Sequence, residues 1–392
     1  MQSEDIKNTF FRIAAIGQEE KGGISRIFGS DSLKECQSAL KEYFTECGMR
    51  SYIDTVGNVH GVYGNPGQRE ILVGSHYDSV KSGGMFDGLL GIVLGAETVR
   101  RLRDEKENLK KNIHIIAFTG EEGNELGGTF GSRAAMGLLD LDDQAFLEKA
   151  GKYGLTKKDL KNAELDVKNT EGYLELHIEQ GPTLEKNHEK IGIVTGIVGL
   201  RRYLLTVHGV SNHAGTTMME DRNDALVHAA KIILMGDELA RDYKNNLVET
   251  VGIVHVYPGS APVIPDKVEM VVEIRNESNE LLDCFIQDFQ ERAEQIAAID
   301  LEPIIRKEPV RCNELLIKRT EQVCVGLEIP YRKMPSGATH DGSAIAYRVP
   351  IGMVFVPSCG GVSHSREEWT DWEDVETGFC VLYQAIKQIV TE

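Results

Sequence analysis

Four short strand-like segments in this chain, three of them apolar runs, each lead into a glycine-rich turn, with a histidine or a carboxylate at the strand end or in the turn. Ile71-Leu72-Val73 precedes SHYDSVKSGGMFDG, Ile113–Phe118 precedes TGEEGNELGG, LELHI precedes EQGP, and Ile351–Val356 precedes PSCGGVSHSREE. Strands buried on both faces read as continuous apolar runs of this kind, and they occur in parallel sheets covered by helices. Between the first two, Leu89–Leu102 carries apolar residues at helical spacing. It ends in Arg100, Arg101 and Arg103, which suit the negative end of a helix dipole. Strand, helix, strand in this order predicts an α/β fold whose mixed, largely parallel sheet lies between helices. Ligands of such sheets gather at the carboxyl ends of the strands, where these turns fall.

The pattern changes along the chain. Residues 138–172 are charged and poor in β-formers, so short surface helices are expected, followed by a strand at Tyr173–Ile178. Near residue 197 a new texture begins, with strands at Arg202–Val207, Val251–Val256 and Val268–Arg275 and helices at Asp224–Ala240 and Leu281–Ala298. This reads as an inserted α+β domain at 197–311, splitting a catalytic domain into 1–196 and 312–392.

Composition narrows the function. The net charge of −18 disfavours nucleic acid and anionic membranes as partners. No apolar run is long enough to span a bilayer. Seven cysteines without a CxxC pair read as reduced thiols, and the acidic, amphipathic N-terminus does not read as a signal peptide, so a cytoplasmic location is expected. No GxSxG elbow, phosphate-binding loop or dinucleotide fingerprint is present.

The turn residues themselves point to metal hydrolysis. His76 is a ligand type, with Asp78 two residues on to fix the tautomer of its ring. Asp87, after a flexible Ser-Gly-Gly, can bridge two cations with one oxygen on each. Glu121 and Glu122 are adjacent, so in extended chain their side chains diverge. One job each follows: Glu122 on a metal, Glu121 as general base over the attacking water. His177 and His364 complete a nitrogen and oxygen donor set that suits Zn²⁺ or Mn²⁺. His60, His114, His188, His208, His228 and His255 lie outside such turns and read as packed or surface residues.

At this point the sequence resembles the hydantoinase/carbamoylase group of amidohydrolases, relatives of the di-zinc amino- and carboxypeptidases. The blocks that carry the resemblance run in order through nearly the whole chain: GSHYDSVKSGGMFDG, TGEEGNELGGTFGSR, LELHIEQGPTLE, SNHAGTTM, SGATHDG and FVPSCGGVSHSREE. The resemblance implies two divalent ions per subunit, one held by His76, Asp87 and His177, the other by Asp87, Glu122 and His364, with Glu121 as base. It implies that His213 steadies the oxyanion, often from the partner subunit, and that Arg275 holds the substrate carboxylate. His340 and Gln180 become substrate-side residues. The inserted domain becomes a lid that also forms a homodimer. The implied reaction is hydrolysis of a ureido C–N bond in a small anionic substrate, an N-carbamoyl-L-amino acid or allantoate. A di-zinc aminopeptidase or dipeptidase is the alternative, and a non-catalytic binding protein a further one. Three residues depart from the group's pattern in substrate- or lid-facing segments: Pro262 for asparagine, Met218 for proline and Thr339 for glycine.

Overall fold

The computed structural model describes residues 3–243 and 247–392. It divides into two compact units, one running to Thr195 and resuming at Arg311–Glu392, the other Gly196–Val310. In chain order the strands are β1 (Arg50–Ile53), β2 (Val59–Tyr63), β3 (Glu70–His76), β4 (Asn112–Phe118), β5 (Thr170–Ile178), β6 (Ile191–Ile197) and β7 (Gly199–His208). They continue as β8 (Val248–Tyr257), β9 (Lys267–Asn276), β10 (Ile299–Lys307), β11 (Val310–Arg311), β12 (Tyr331–Ser336) and β13 (Ile351–Val356).

The larger sheet has the order β1-β2-β4-β3-β5-β13-β6-β11, with β12 beside β6. Its centre, β4-β3-β5-β13, is parallel, while β1-β2, β2-β4 and β13-β6 are antiparallel. The four central strands are the four strand-like segments of the sequence, and both faces of each are covered. Along β5, Leu174, Leu176 and Ile178 enter one core with the helices Leu89–Asp104 and Trp372–Thr391. By the two-residue period of a strand, Tyr173, Glu175 and His177 point to the opposite face. All three are buried. One face of β5 is thus packing and the other chemistry.

The expected surface helices fall at Gln144–Lys152 and Lys157–Asn162, each N-capped by an aspartate or threonine side chain. In the second unit the sheet order is β10-β7-β9-β8, antiparallel throughout, and the helices Ala225–Asp242 and Asn279–Glu294 share its core. The second of these helices is shorter than its sequence pattern. It ends at Glu294, and the chain turns through Gln295–Ala298 into β10 rather than continuing to Ala298. Ile296 and Ala297 still pack on the core from this turn, so burial there prolongs the apolar pattern without a helix.

Candidate metal centre

Parallel register brings the carboxyl ends of the central strands level. His76 lies opposite Phe118, three residues before Glu121, and His177 lies opposite Phe355 near the end of β13. The turn bearing Asp87 folds back over β3 at Gly88, whose φ is +68°. A Cβ there would overlap the His76 carbonyl and ring, so only glycine permits the approach. His364, in the loop after β13, itself takes a left-handed φ of +53°.

Asp87 is the centre of the cluster. Its Oδ1 lies 3.4 Å from His76 Nε2 and 3.2 Å from His177 Nε2, and these two nitrogens are 3.5 Å apart. Its Oδ2 lies 3.3 Å from His364 Nε2, which is also 3.3 Å from Glu122 Oε1. The outer ring nitrogens are tied to carbonyls: His76 Nδ1 donates to Asp78 O at 3.1 Å and His177 Nδ1 to Ile178 O at 3.0 Å. With the proton fixed on Nδ1, each neutral ring turns its Nε2 lone pair inward. His177 Nε2 accepts the Gly88 N–H at 3.2 Å, in agreement with that tautomer.

The residues fit a pair of cations. Buried Asp87 Oδ1 and Glu122 Oε1 have no hydrogen-bond partner, a costly arrangement for carboxylate oxygens unless a cation faces them. Donor atoms bound about 2.0–2.2 Å from one tetrahedral ion lie roughly 3.3–3.5 Å from each other. The three separations in the first triad, and the two from His364 in the second, are close to this. Nitrogen and carboxylate donors without thiolate suit zinc or manganese.

Electrostatics point the same way. Burial pushes the Asp87 carboxyl upward, but the facing His177, His364 and His76 rings reverse this and hold it well below the usual range. Burial lowers His76 and His177, but Asp87, helped by Glu121 and Asp78 at His76 and by Glu175 at His177, more than offsets it, so both are raised. His364 is pushed up to about 9, first by its hydrogen bond to Asp87. The Asp87 carboxylate thus favours positive charge around it, which a bound cation would supply. Glu121 is raised well above the ordinary carboxylate value, first by burial, then by the charge of Asp341, with His76 opposing. A buried carboxyl with a raised pKa is suited to acid–base work.

Asp78 has a different contact from the one its spacing suggests. Its carboxylate is 3.8 Å from His76 Nδ1, and its backbone carbonyl orients the ring instead. The carboxylate accepts the N–H groups of Glu121 and Glu122, each at 3.0 Å. Asp78 therefore holds the loop after β4, because the parallel register sets that loop beside the end of β3.

Of the substrate-side residues, Gln180 bonds through Nε2 to Asp87 Oδ2 at 3.1 Å and Ser363 Oγ at 3.3 Å, so it touches a candidate ligand directly. His340 is buried. It packs edge-on against His177 with ring centroids 4.5 Å apart and shares a 2.8 Å hydrogen bond with Ser336 Oγ. Burial, then the neighbouring His177, drives its pKa well below the usual value. In the second unit, His213 is exposed and accepts the Gly215 N–H on Nδ1 at 3.0 Å. Its segment bridges Val263, beside Pro262. Arg275 pairs with Glu273 Oε1 through Nε at 2.8 Å and Nη2 at 2.7 Å.

Three residues at the site escape sequence reasoning. Glu368 accepts the N–H groups of Phe86 and Asp87 at 3.1 Å and a hydrogen bond from Ser363, joining the two loops that carry Asp87 and His364. Burial, then Asp87, raises it to about 7. Glu175 and Asp341 are fully buried behind His177 and His340. Glu175 accepts from Ser75, Tyr173 and Gly342 N–H, and it forms a further triad of donor atoms with His177 and His340. The signal for Glu175 was its two-residue offset from His177 along one strand.

Comparison with known proteins follows the same lines. The model of Peptidase family M20/M25/M40 matches residues 72–388. An N-carbamoyl-L-amino acid amidohydrolase of Geobacillus stearothermophilus is 37% identical, over 99% of each chain. An allantoate amidohydrolase of Escherichia coli strain K12 is 32% identical, over 98% of this chain and 97% of its own. The crystal structure of an amidase of the hydantoinase/carbamoylase family from Burkholderia multivorans superposes with a TM-score of 0.90 at 29% identity, covering 100% of this chain and 98% of that one. Aminopeptidase PepT of Bacillus cereus, 17% identical with a TM-score of 0.70, shares the fold.

Proposed function

The chain belongs to peptidase family M20/M25/M40, among its hydantoinase/carbamoylase amidases, and from that premise we propose that it hydrolyses the ureido C–N bond of an N-carbamoyl-L-amino acid or of allantoate at the Asp87 centre. The observation that carries this reading is the Asp87 carboxylate shared by two donor triads, with the buried Glu121 close enough to His76 for their charges to interact.

His76, Asp87 and His177 would hold one divalent ion and Asp87, Glu122 and His364 a second, zinc or manganese. Such ions supply Lewis acidity toward the ureido carbonyl and acidify water. Glu121 takes a proton from the attacking water onto its carboxylate. The water oxygen adds to the carbonyl carbon, the C–N bond breaks, and Glu121 returns the proton to the departing nitrogen. With a carbamoyl amino acid the products are the amine, ammonia and carbon dioxide. Asp78 fixes the backbone from which Glu121 works. His213 is assigned to the oxyanion and Arg275 to the substrate carboxylate, a task suited to a planar fork.

The same reading includes a cytoplasmic homodimer formed through the second unit. There β8 is an edge strand exposing Val248, Ile253 and Val254, and the helix Ala225–Asp242 exposes Leu226, Val227 and Leu234. An open apolar edge of this kind invites pairing with a second copy. No helix among the described residues is long and apolar enough to cross a membrane.

The test is an assay of metal-loaded protein, with zinc and with manganese. Ammonia release is measured from N-carbamoyl-L-amino acids and allantoate, and amine release from dipeptides. Ammonia release from a ureido substrate is expected. Cleavage of dipeptides alone would assign the centre to peptide hydrolysis instead.

A further inference from the structure

The hairpin loop between β1 and β2, Asp54-Thr55-Val56-Gly57-Asn58, carries no residue of the proposed chemistry, yet its last side chain reaches the catalytic loop. Asn58 is fully buried. Its Oδ1 accepts the Thr119 N–H at 3.0 Å, and its Nδ2 donates to Gly131 O at 3.2 Å and to Asp54 Oδ2 at 2.8 Å. Thr119 and Gly131 are the two ends of the loop that bears Glu121 and Glu122. The arms of that loop are also joined to each other. Gly131, Phe130 and Thr129 donate their N–H groups to Thr119, Gly120 and Glu121 carbonyls at 2.8, 2.9 and 2.8 Å.

Asp54 holds Asn58 in place. Its Oδ1 accepts the N–H groups of Val56, Gly57 and Asn58 at 3.0, 2.8 and 2.9 Å. Its Oδ2 takes Asn58 Nδ2 and lies 3.3 Å from His60 Nε2. Behind it, His60 Nδ1 is 3.0 Å from His114 Nε2, so the brace is anchored in the sheet by two buried strands. Every polar atom of the Asn58 amide is used, and the amide presents an acceptor to one end of the loop and a donor to the other. An aspartate of the same shape would set carboxylate oxygens against the Gly131 carbonyl and the Asp54 carboxylate. Gly131 allows the fit, since a Cβ there would overlap Asn58 Oδ1 and the Thr119 backbone. With Asp78 holding the N–H groups of Glu121 and Glu122, side chains from outside this loop take its backbone at residues 119, 121, 122 and 131.

We infer that Asn58, oriented by Asp54, is a positioning residue that sets the Thr119–Gly131 loop and through it the place of the Glu121 carboxylate. This rests on the reading of Glu121 as the base. Small displacements of a positioned catalytic group are costly in rate, so the effect belongs in kcat rather than in binding.

The test uses the full-length, metal-loaded protein carrying Asn58→Asp or Asn58→Ala. Each is expected to lower kcat by about ten-fold or more with KM within about three-fold and metal content unchanged. Deuterium uptake should rise in the 119–131 segment and not in β13. In a Glu121→Asp background, where the base is already misplaced, Asn58→Asp should add less than about three-fold. Unchanged kcat, or the same fold-loss in both backgrounds, would overturn the positioning role. Should no ureido substrate be turned over by the parent protein, the functional reading fails. Local exchange then still decides whether Asn58 braces the loop: uptake equal to the parent's would overturn the brace.

Discussion

Asp78→Asn separates the two jobs that Asp78 could have. In the structure its carboxylate, 1% exposed, accepts two N–H groups, from Glu121 on Oδ1 and Glu122 on Oδ2, each at 3.0 Å. Asparagine keeps one acceptor and turns an NH₂ group against the other N–H. One hydrogen bond to a charged group is lost, about 1.5–3 kcal/mol, and a buried donor is left without a partner. The buried negative charge disappears at the same time. Burial is the first cause raising the Asp78 pKa, so this relieves a cost and the net effect on global stability is about 1 kcal/mol either way. The loss falls on the loop. If it is felt in the placement of Glu121, 1.5–3 kcal/mol corresponds to roughly 10- to 150-fold in kcat. His76 keeps its contact with the Asp78 carbonyl, so the variant should retain its metal. Steady-state kinetics with ammonia detection, together with elemental analysis of the purified variant, measure both. Parent-like kcat would refute the reasoning. Loss of one ion per subunit would return Asp78 to the role its spacing suggests, as the partner of the His76 ring.

Three further outcomes are expected. Glu121→Gln should keep the full metal content and lose turnover by about a thousand-fold or more, and substantial residual activity would remove Glu121 from the role of base. Glu249 on β8 has a buried oxygen without a hydrogen-bond partner, and burial, then Asp237, raises its pKa from 4.5 to about 7. A carboxyl raised in the folded state contributes stability that is present below 4.5 and lost as pH rises through about 7. The shift bounds the effect at roughly 3 kcal/mol, and partial exposure reduces it to about 1–2. Glu249→Gln should therefore be the more stable protein in urea at pH 8 and no more stable than the parent at pH 5; an equal difference at both would contradict this. Ile253→Lys on the exposed β8 edge should yield monomers in sedimentation, whereas a monomeric parent, or a dimer in the variant, would remove β8 as the interface.

Much of the catalytic frame was legible because its strands are buried on both faces. β3, β4 and β13 carry short apolar stretches and β5 alternates apolar with ligand-type residues, and a ligand-type residue lies in or soon after each. The outer strands were harder to read. β1 and β10 alternate between intermediate and exposed residues, so no apolar run announces them. His60 and His114 read as packed residues, and they are buried in the sheet away from the Asp87 cluster. Contacts made across the sheet left no local trace. Asp78 sits two residues from His76, yet its carboxylate serves a loop more than forty positions on. Glu368 sits in a charged SREE run that reads as solvated. Glu367 is exposed as that run suggests, while Glu368 is 3% exposed beneath the Asp87 turn. Spacing could tell which residues were capable of chemistry, but the partner of each carboxylate oxygen depended on which strand ends the register made neighbours.

The central claim is a pair of cations sharing Asp87, and anomalous diffraction tests it most directly. Crystals grown with zinc, and separately with manganese, would be measured at the absorption edge of each metal. Two peaks per subunit are predicted, one among His76, Asp87 and His177 and one among Asp87, Glu122 and His364, with Asp87 contributing one oxygen to each. A single peak, or peaks that leave Asp87 bound to only one ion, would contradict it.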